Sequence, residues 1–130
     1  MPEQAAITSV VDAAARTPGL DLLLLFGSRA RGDGDDGSDW DIGYMGDAAF
    51  DPDALLTRLV VALQTDRVDL VDLARAGGLL RFRAARDGRL LFEARSNVFA
   101  GFWLAAVSFW CEAAPLIERG YDALLSELPR

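Results

Sequence analysis

Two aspartates separated by one residue, Asp39 and Asp41, are the side chains of this sequence best suited to metal-assisted chemistry. The segment 40–44 has the alternation of a strand, in which every second side chain faces the same side. We therefore expect the two carboxylates to lie close together. Such carboxylates repel each other unless a cation lies between them, and hard oxygen ligands favour Mg²⁺ or Mn²⁺. The pair predicts a divalent cation site.

A glycine-serine pair, Gly27 and Ser28, is separated from Asp39 by ten residues and follows a short apolar run. Glycine allows another backbone to approach closely, and the start of a helix offers unpaired N–H groups to an anion. The Ser28 hydroxyl adds a donor, and Arg29 and Arg31 add positive charge. This corner is predicted to bind phosphate groups.

Helices and strands alternate around these residues. The apolar run 20–26, bounded by Gly19 and Gly27, is typical of a strand buried on both faces, although a helical turn is an alternative. Asp51 and Pro52 are typical of a helix start. The sequence predicts helices over residues 5–16, 52–63, 79–86 and 98–128 and further strands over residues 40–44, 68–73 and 89–93. This order indicates an α/β fold with a central sheet, and the length fits one domain over residues 1–130 with a helical extension over 96–130.

The glycine-serine pair, its ten-residue spacing and the two aspartates together resemble the signature of the nucleotidyltransferase superfamily that includes DNA polymerase β. The resemblance implies a small mixed β-sheet with flanking helices, and a third carboxylate on a later strand. Asp69 and Asp72 fall on opposite faces of the predicted strand 68–73, so only one of them can join the pair. Asp69 is favoured, because the family places this residue early in the strand, and Asp72 is then expected to cap the following turn.

Within that superfamily the chain is most similar to the minimal nucleotidyltransferases, also over residues 79–82 and 86–93. Many of these are antitoxins of the MntA type, encoded beside a HEPN-domain toxin that is a ribonuclease. The resemblance implies transfer of AMP from ATP to a tyrosine of the toxin, with two Mg²⁺ ions. It assigns catalysis and metal binding to Asp39, Asp41 and Asp69, and nucleotide binding to Gly27, Ser28, Arg29 and Arg31. Trp40 departs from the usual aliphatic residue and is expected to face away from the metals.

Two other functions remain open at this point. The same fold could neutralise the toxin by association alone, which would make neutralisation independent of ATP. Transfer to a small molecule such as an aminoglycoside is the other alternative, although such enzymes usually carry an additional substrate-binding domain. Template-directed polymerisation is disfavoured by the short chain and its acidic charge.

Composition excludes several kinds of chemistry. The chain has no histidine, no lysine and one cysteine, so histidine-dependent triads, zinc-histidine sites and internal disulfides are ruled out. A net charge of −7 argues against direct nucleic-acid binding and against binding to an anionic membrane. The longest uncharged run, residues 96–111, is shorter than a membrane span. We expect a cytoplasmic protein. The acidic segment 33–36 is expected to be a flexible loop.

Two segments allow more than one interpretation. Six arginines within residues 75–95 are interpreted as a solvated face or as contacts to phosphates or an acidic partner; they are Arg75, Arg81, Arg83, Arg86, Arg89 and Arg95. The C-terminal helix is apolar all round, which indicates burial on both sides. It either completes the core, with Cys111 as a small buried residue, or presents a face to the toxin or to a second copy in a homodimer.

Overall fold

The computed structural model describes residues 3–32 and 37–126, with side chains along the last helix described up to Ala113. The elements are α1 (Glu3–Ala15), β1 (Leu20–Phe26), α2 (Gly27–Arg31), β2 (Trp40–Gly46), α3 (Pro52–Leu63), β3 (Val68–Asp72), α4 (Gly78–Asp87), β4 (Arg89–Glu93) and α5 (Val98–Ser126). The predicted helices and strands are confirmed within this range. The acidic segment 33–36 and the last predicted helical residues, 127 and 128, lie outside the described residues.

The four strands form one mixed sheet in the order β3-β2-β1-β4. Strand β1 is antiparallel to both β2 and β4, whereas β2 and β3 run parallel. This sheet with its flanking helices confirms the expected fold class. The parallel pair is the part of the sheet that carries the acidic residues.

Strand β1 is buried on both faces, which explains its unbroken run of leucines. Leu23 and Leu25 belong to a core that includes residues of α1 and α3. Leu22 and Leu24 belong to a second core that includes residues of α4 and α5. All four leucines are completely inaccessible to solvent. The strand interpretation of this run is therefore confirmed.

Helix α3 begins as its sequence predicts. The Asp51 side chain accepts a hydrogen bond from the Asp53 backbone N–H at 3.0 Å, and Pro52 occupies the first turn. Such caps satisfy backbone donors that have no partner within the helix.

Helix α5 packs with one stripe, which includes Phe102 and Ala106, into the second core. Leu104 on its opposite side is 62% exposed, and Trp103 at the edge of the stripe is 43% exposed. Phe109 lies on the same stripe as Phe102 and faces Gly78 of α4, yet it remains 56% exposed. Packing against the sheet is thus confirmed for one face of the helix. The expectation that Cys111 is buried is wrong, because the helical period places this residue on the exposed side. Within the described residues, every helix is too short or too polar to cross a membrane.

Truncation of Leu24 tests the central position of β1. Leu24→Ala should lower the free energy of unfolding by about 2–5 kcal/mol, because it removes buried methyl groups and leaves a cavity. Val61→Ala, at a position 73% exposed, should change it by no more than about 0.5 kcal/mol. Urea unfolding measures both values, and equal losses would contradict the burial of β1.

Candidate active site

The turn from β1 into α2 brings Gly27 against Asp41. Gly27 has φ +75°, a left-handed conformation that side chains disfavour. A Cβ atom at this position would collide with Oδ2 of Asp41. The antiparallel register, which pairs Phe26 with Asp41, fixes this approach. The sequence predicted that another backbone approaches Gly27, whereas in the structure the group that approaches it is the Asp41 side-chain carboxylate.

Asp41 and Asp69 are paired neighbours on the parallel strands β2 and β3. Asp41 is half-buried, whereas Asp69 is exposed on the outermost strand of the sheet. Asp39 lies one residue before β2, two positions from Asp41. The structure therefore brings the three predicted carboxylates to one end of the parallel pair.

The three carboxylates interact electrostatically. Burial raises the pKa of Asp41 above its ordinary value, and the negative charges of Asp69 and Asp39 raise it further. The Arg31 guanidinium acts in the opposite direction on the same pKa. The donor set, three hard oxygen ligands whose charges repel, fits a divalent cation such as Mg²⁺.

Asp39 makes a specific contact outside this group. Its Oδ1 accepts a hydrogen bond from Arg67 Nε at 3.0 Å. In the part of the chain that the structure describes, no three acidic or cysteine side chains lie close enough together to bind one metal ion. No sequence motif marks Arg67, although a parallel pairing of β2 with β3 places it beside Asp39.

Asp72 points away from the carboxylates, as predicted. Its Oδ1 accepts a hydrogen bond from the Ala74 backbone N–H at 3.0 Å, and its Oδ2 lies 3.7 Å from Arg75. This contact to Ala74 confirms the expectation that Asp72 caps the turn after β3.

Arg29 holds the residue that precedes Asp39. Its Nε and one terminal nitrogen donate to the Ser38 carbonyl oxygen at 3.0 and 2.8 Å. The guanidinium lies over the Trp40 ring at 4.0 Å, and the side chain is only 9% exposed. These contacts give Arg29 a positioning role, while nucleotide binding by Arg29 stays a prediction. Trp40 itself is buried in the core beneath α1 and α3, on the face opposite Asp41, as expected.

Ser28 is half-buried in the first turn of α2, and Arg31 is exposed at the end of that helix. Binding of phosphate groups by Gly27, Ser28 and Arg31 stays a prediction.

Half of the arginines between residues 75 and 95 form ion pairs with nearby acids, namely Arg75 with Asp72, Arg86 with Asp87 and Arg95 with Asp21. For these three, the interpretation as a charge-balanced surface is favoured.

The profile of a family described as polymerase beta, nucleotidyltransferase matches residues 9–97 of this chain. The chain belongs to the polymerase β nucleotidyltransferase family. The match contains Gly27 and all three aspartates and ends one residue before α5. Membership confirms the resemblance that the glycine-serine pair and the aspartates indicated.

Within this broad family, the chain is similar to a protein adenylyltransferase. It is 32% identical over 100 residues to protein adenylyltransferase MntA of Aphanizomenon flos-aquae (strain 2012/KM1/D3). The alignment spans 67% of this chain and 66% of that relative, just under two thirds of its length.

One chain in each of two solved toxin–antitoxin structures has the same fold as this chain. One chain of a toxin–antitoxin crystal structure with AMP-PNP is 26% identical, with a TM-score of 0.72 and coverage of 96% of this nucleotidyltransferase and 99% of that chain. A chain from the tri-AMPylated Shewanella oneidensis HEPN toxin in complex with MNT antitoxin is 24% identical, with a TM-score of 0.72 and coverage of 95% and 99%. The similarity to this second chain, at 24% identity, supports only the assignment of the fold.

The contact between Gly27 and Asp41 can be measured by substitution. Gly27→Ala should cost about 1–2 kcal/mol for its left-handed backbone and about 1–3 kcal/mol more for the collision with Asp41. Gly32→Ala is a matched control, because Gly32 has φ +80° but, among the residues that the structure describes, no atom lies within 4 Å of an added Cβ. Urea unfolding should show the larger loss for Gly27→Ala, and Asp41→Ala should reduce that loss when the two are combined. Equal losses at the two glycines would contradict the contact.

The raised pKa of Asp41 predicts a pH-dependent stability. The folded chain binds the Asp41 proton more tightly than the unfolded chain, so stability falls as the pH rises from about the ordinary value of 3.8 through the raised pKa. In EDTA, Asp41→Asn should therefore melt above the wild type at neutral pH, and the difference should shrink as the pH falls below this window. Asp66→Asn, at an exposed position outside the site, should show no such trend. A difference independent of pH would contradict the electrostatic origin.

Proposed function

We propose that this nucleotidyltransferase transfers AMP from ATP to a tyrosine hydroxyl of a HEPN-type toxin and so acts as its antitoxin. The observation that carries the proposal is the paired position of Asp41 and Asp69 beside Gly27, in a chain that is 32% identical to a protein adenylyltransferase. The similarity to a toxin–antitoxin structure with AMP-PNP, an ATP analogue, supports both ATP as substrate and a toxin as partner. As an antitoxin that uses ATP, the protein is expected to act in the cytoplasm.

In this proposal Asp39, Asp41 and Asp69 hold two Mg²⁺ ions. When bound, these ions neutralise the triphosphate and stabilise the pyrophosphate leaving group. Gly27 and Ser28 bind the β- and γ-phosphates at the first turn of α2, and the charge of Arg31 lies close enough to Asp41 to affect its pKa. Arg29 contributes by fixing Ser38, and with it the start of the strand that carries Asp41.

In this proposal Asp69 is the carboxylate that receives the acceptor. It is exposed on the outermost strand, so a tyrosine side chain on the surface of another protein can reach it. A tyrosine hydroxyl has an ordinary pKa of about 10 and is a weak nucleophile at neutral pH. In the proposed step Asp69 accepts the phenolic proton. The phenolic oxygen forms a bond to the α-phosphorus of ATP, the bond between that phosphorus and the bridging oxygen breaks, and pyrophosphate leaves.

Neutralisation by binding alone is the second candidate, and the electrostatics of the site argue against it. Asp41 is held in a half-buried position between two other carboxylates, which disfavours its charged form. A surface used only for association has no need for this unfavourable arrangement, whereas a metal-dependent transferase does. Transfer to a small molecule is less well supported than transfer to a protein, because the relative named above is a protein adenylyltransferase.

A transfer assay with two labels tests the proposal. The chain is incubated with Mg²⁺, with a HEPN-type toxin, and with ATP labelled at either the α- or the γ-phosphate. Label should appear on the toxin from α-labelled ATP only, because AMP transfer releases the γ-phosphate in pyrophosphate. Asp39→Ala combined with Asp41→Ala should reduce labelling by at least roughly 10³-fold, since metal stabilisation of the transition state is worth several kcal/mol.

Asp66→Ala is the control for the loss of an acidic side chain and should leave the labelling unchanged. Label on the toxin from γ-labelled ATP would indicate phosphorylation instead. Neutralisation of the toxin without ATP, retained in the doubly substituted chain, would favour the binding alternative.

A further inference from the structure

Arg67 and Asp39 form a cross-strand pair at the start of the parallel strands β2 and β3. The Trp40 backbone N–H donates to the Arg67 carbonyl oxygen at 2.9 Å, and the register pairs Trp40 with Val68. Arg67 and Asp39 therefore occupy the next position outward, and Asp41 and Asp69 occupy the next pair on the same face. We call Asp39, Asp41, Arg67 and Asp69 the strand-start quartet.

The side chains of Arg67 and Asp39 are joined by the 3.0 Å contact from Nε to Oδ1, and each is 59% exposed. The backbone around Arg67 is fixed, because its N–H also donates to the Thr65 hydroxyl at 3.2 Å. Only the side chain is therefore free to change position. An exposed ion pair of this kind contributes little stability, so it can open at low cost.

The contact conflicts with the role proposed for Asp39. A carboxylate oxygen that accepts a hydrogen bond from a guanidinium has less capacity to coordinate a cation, and the guanidinium repels that cation. The quartet holds three acids and one arginine, so Arg67, together with Arg31 near Asp41, offsets part of the negative charge of the acids when no metal ion is bound.

We infer that Arg67 is a resident counter-ion of Asp39, which a divalent cation must displace, and that Arg67 thereby sets the metal affinity of the site. The inference rests on the proposed function, because that function makes Asp39 a metal ligand. Arg67 is a positioning residue in this scheme. It keeps the acids together before the metal binds and gives up its contact when the metal arrives.

Titration with Mn²⁺ in the absence of nucleotide tests this inference. The chain is titrated by calorimetry, and free Mn²⁺ is followed by electron paramagnetic resonance. Arg67→Gln should bind Mn²⁺ roughly two- to fivefold more tightly than the wild type, the ratio that corresponds to losing an exposed ion pair. Arg67→Lys keeps the charge and should remain closer to the wild type. Saturating Mn²⁺ should raise the melting temperature of Arg67→Gln more than that of the wild type.

Arg95→Gln is the matched control. It removes the same charge from a comparable exposed pair, in which Arg95 lies 3.1 Å from Asp21, and should leave the Mn²⁺ affinity unchanged. Equal tightening in Arg95→Gln and Arg67→Gln would reveal a general effect of net charge and would overturn the inference. An unchanged or weaker affinity of Arg67→Gln would overturn it as well.

The inference and the proposed function fail in different ways. If the wild type binds Mn²⁺ and transfers AMP, but Arg67→Gln binds no more tightly, only the inference about Arg67 is wrong. If the wild type neither binds Mn²⁺ nor transfers AMP, both are wrong.

Discussion

The close approach of the Asp41 carboxylate to the backbone of Gly27, which leaves no room for a Cβ atom there, is the constraint on which the site depends. It joins the corner predicted to bind phosphate to the strand that carries the acids, and it requires both a glycine and a fixed register between β1 and β2. The register is in turn secured by β1, whose leucines fill a core on each side of the sheet. A slip of one residue would exchange the two faces and move Asp41 away from the turn.

The site works against the stability of the fold that carries it. Three carboxylates are held at one end of two parallel strands, and the pKa of Asp41 is raised by burial and by its acidic neighbours. Arg31 and Arg67 offset part of this repulsion, and the two cores on either side of the sheet supply the stability that permits it. A cluster of three carboxylates lowers the stability of the fold, and it is expected where negative charge must be available to bind a cation.

Local patterns predicted the elements well, because hydropathy and caps report directly on burial and on helix ends. The leucine run of β1 and the Asp51 cap are examples. Contacts between distant residues were harder to predict. The pairing of Arg67 with Asp39 follows from the parallel register of two strands, and the hydrogen bonds from Arg29 to the Ser38 carbonyl join residues nine positions apart that no local pattern connects. The exposure of Cys111 depends on which stripe of α5 meets the sheet, and an almost uniformly apolar helix carries no strong signal of that choice.

Helix α5 lies entirely outside the matched region, which ends at residue 97, and the stripe that includes Phe102 and Ala106 packs against residues of α4 and β1. Substitutions on its outward side therefore leave the carboxylates and the glycine turn untouched. Mutational drift on that side is decoupled from the chemistry, so the two parts of the molecule can evolve at different speeds. Relatives are expected to differ most in α5 while keeping the same reaction centre.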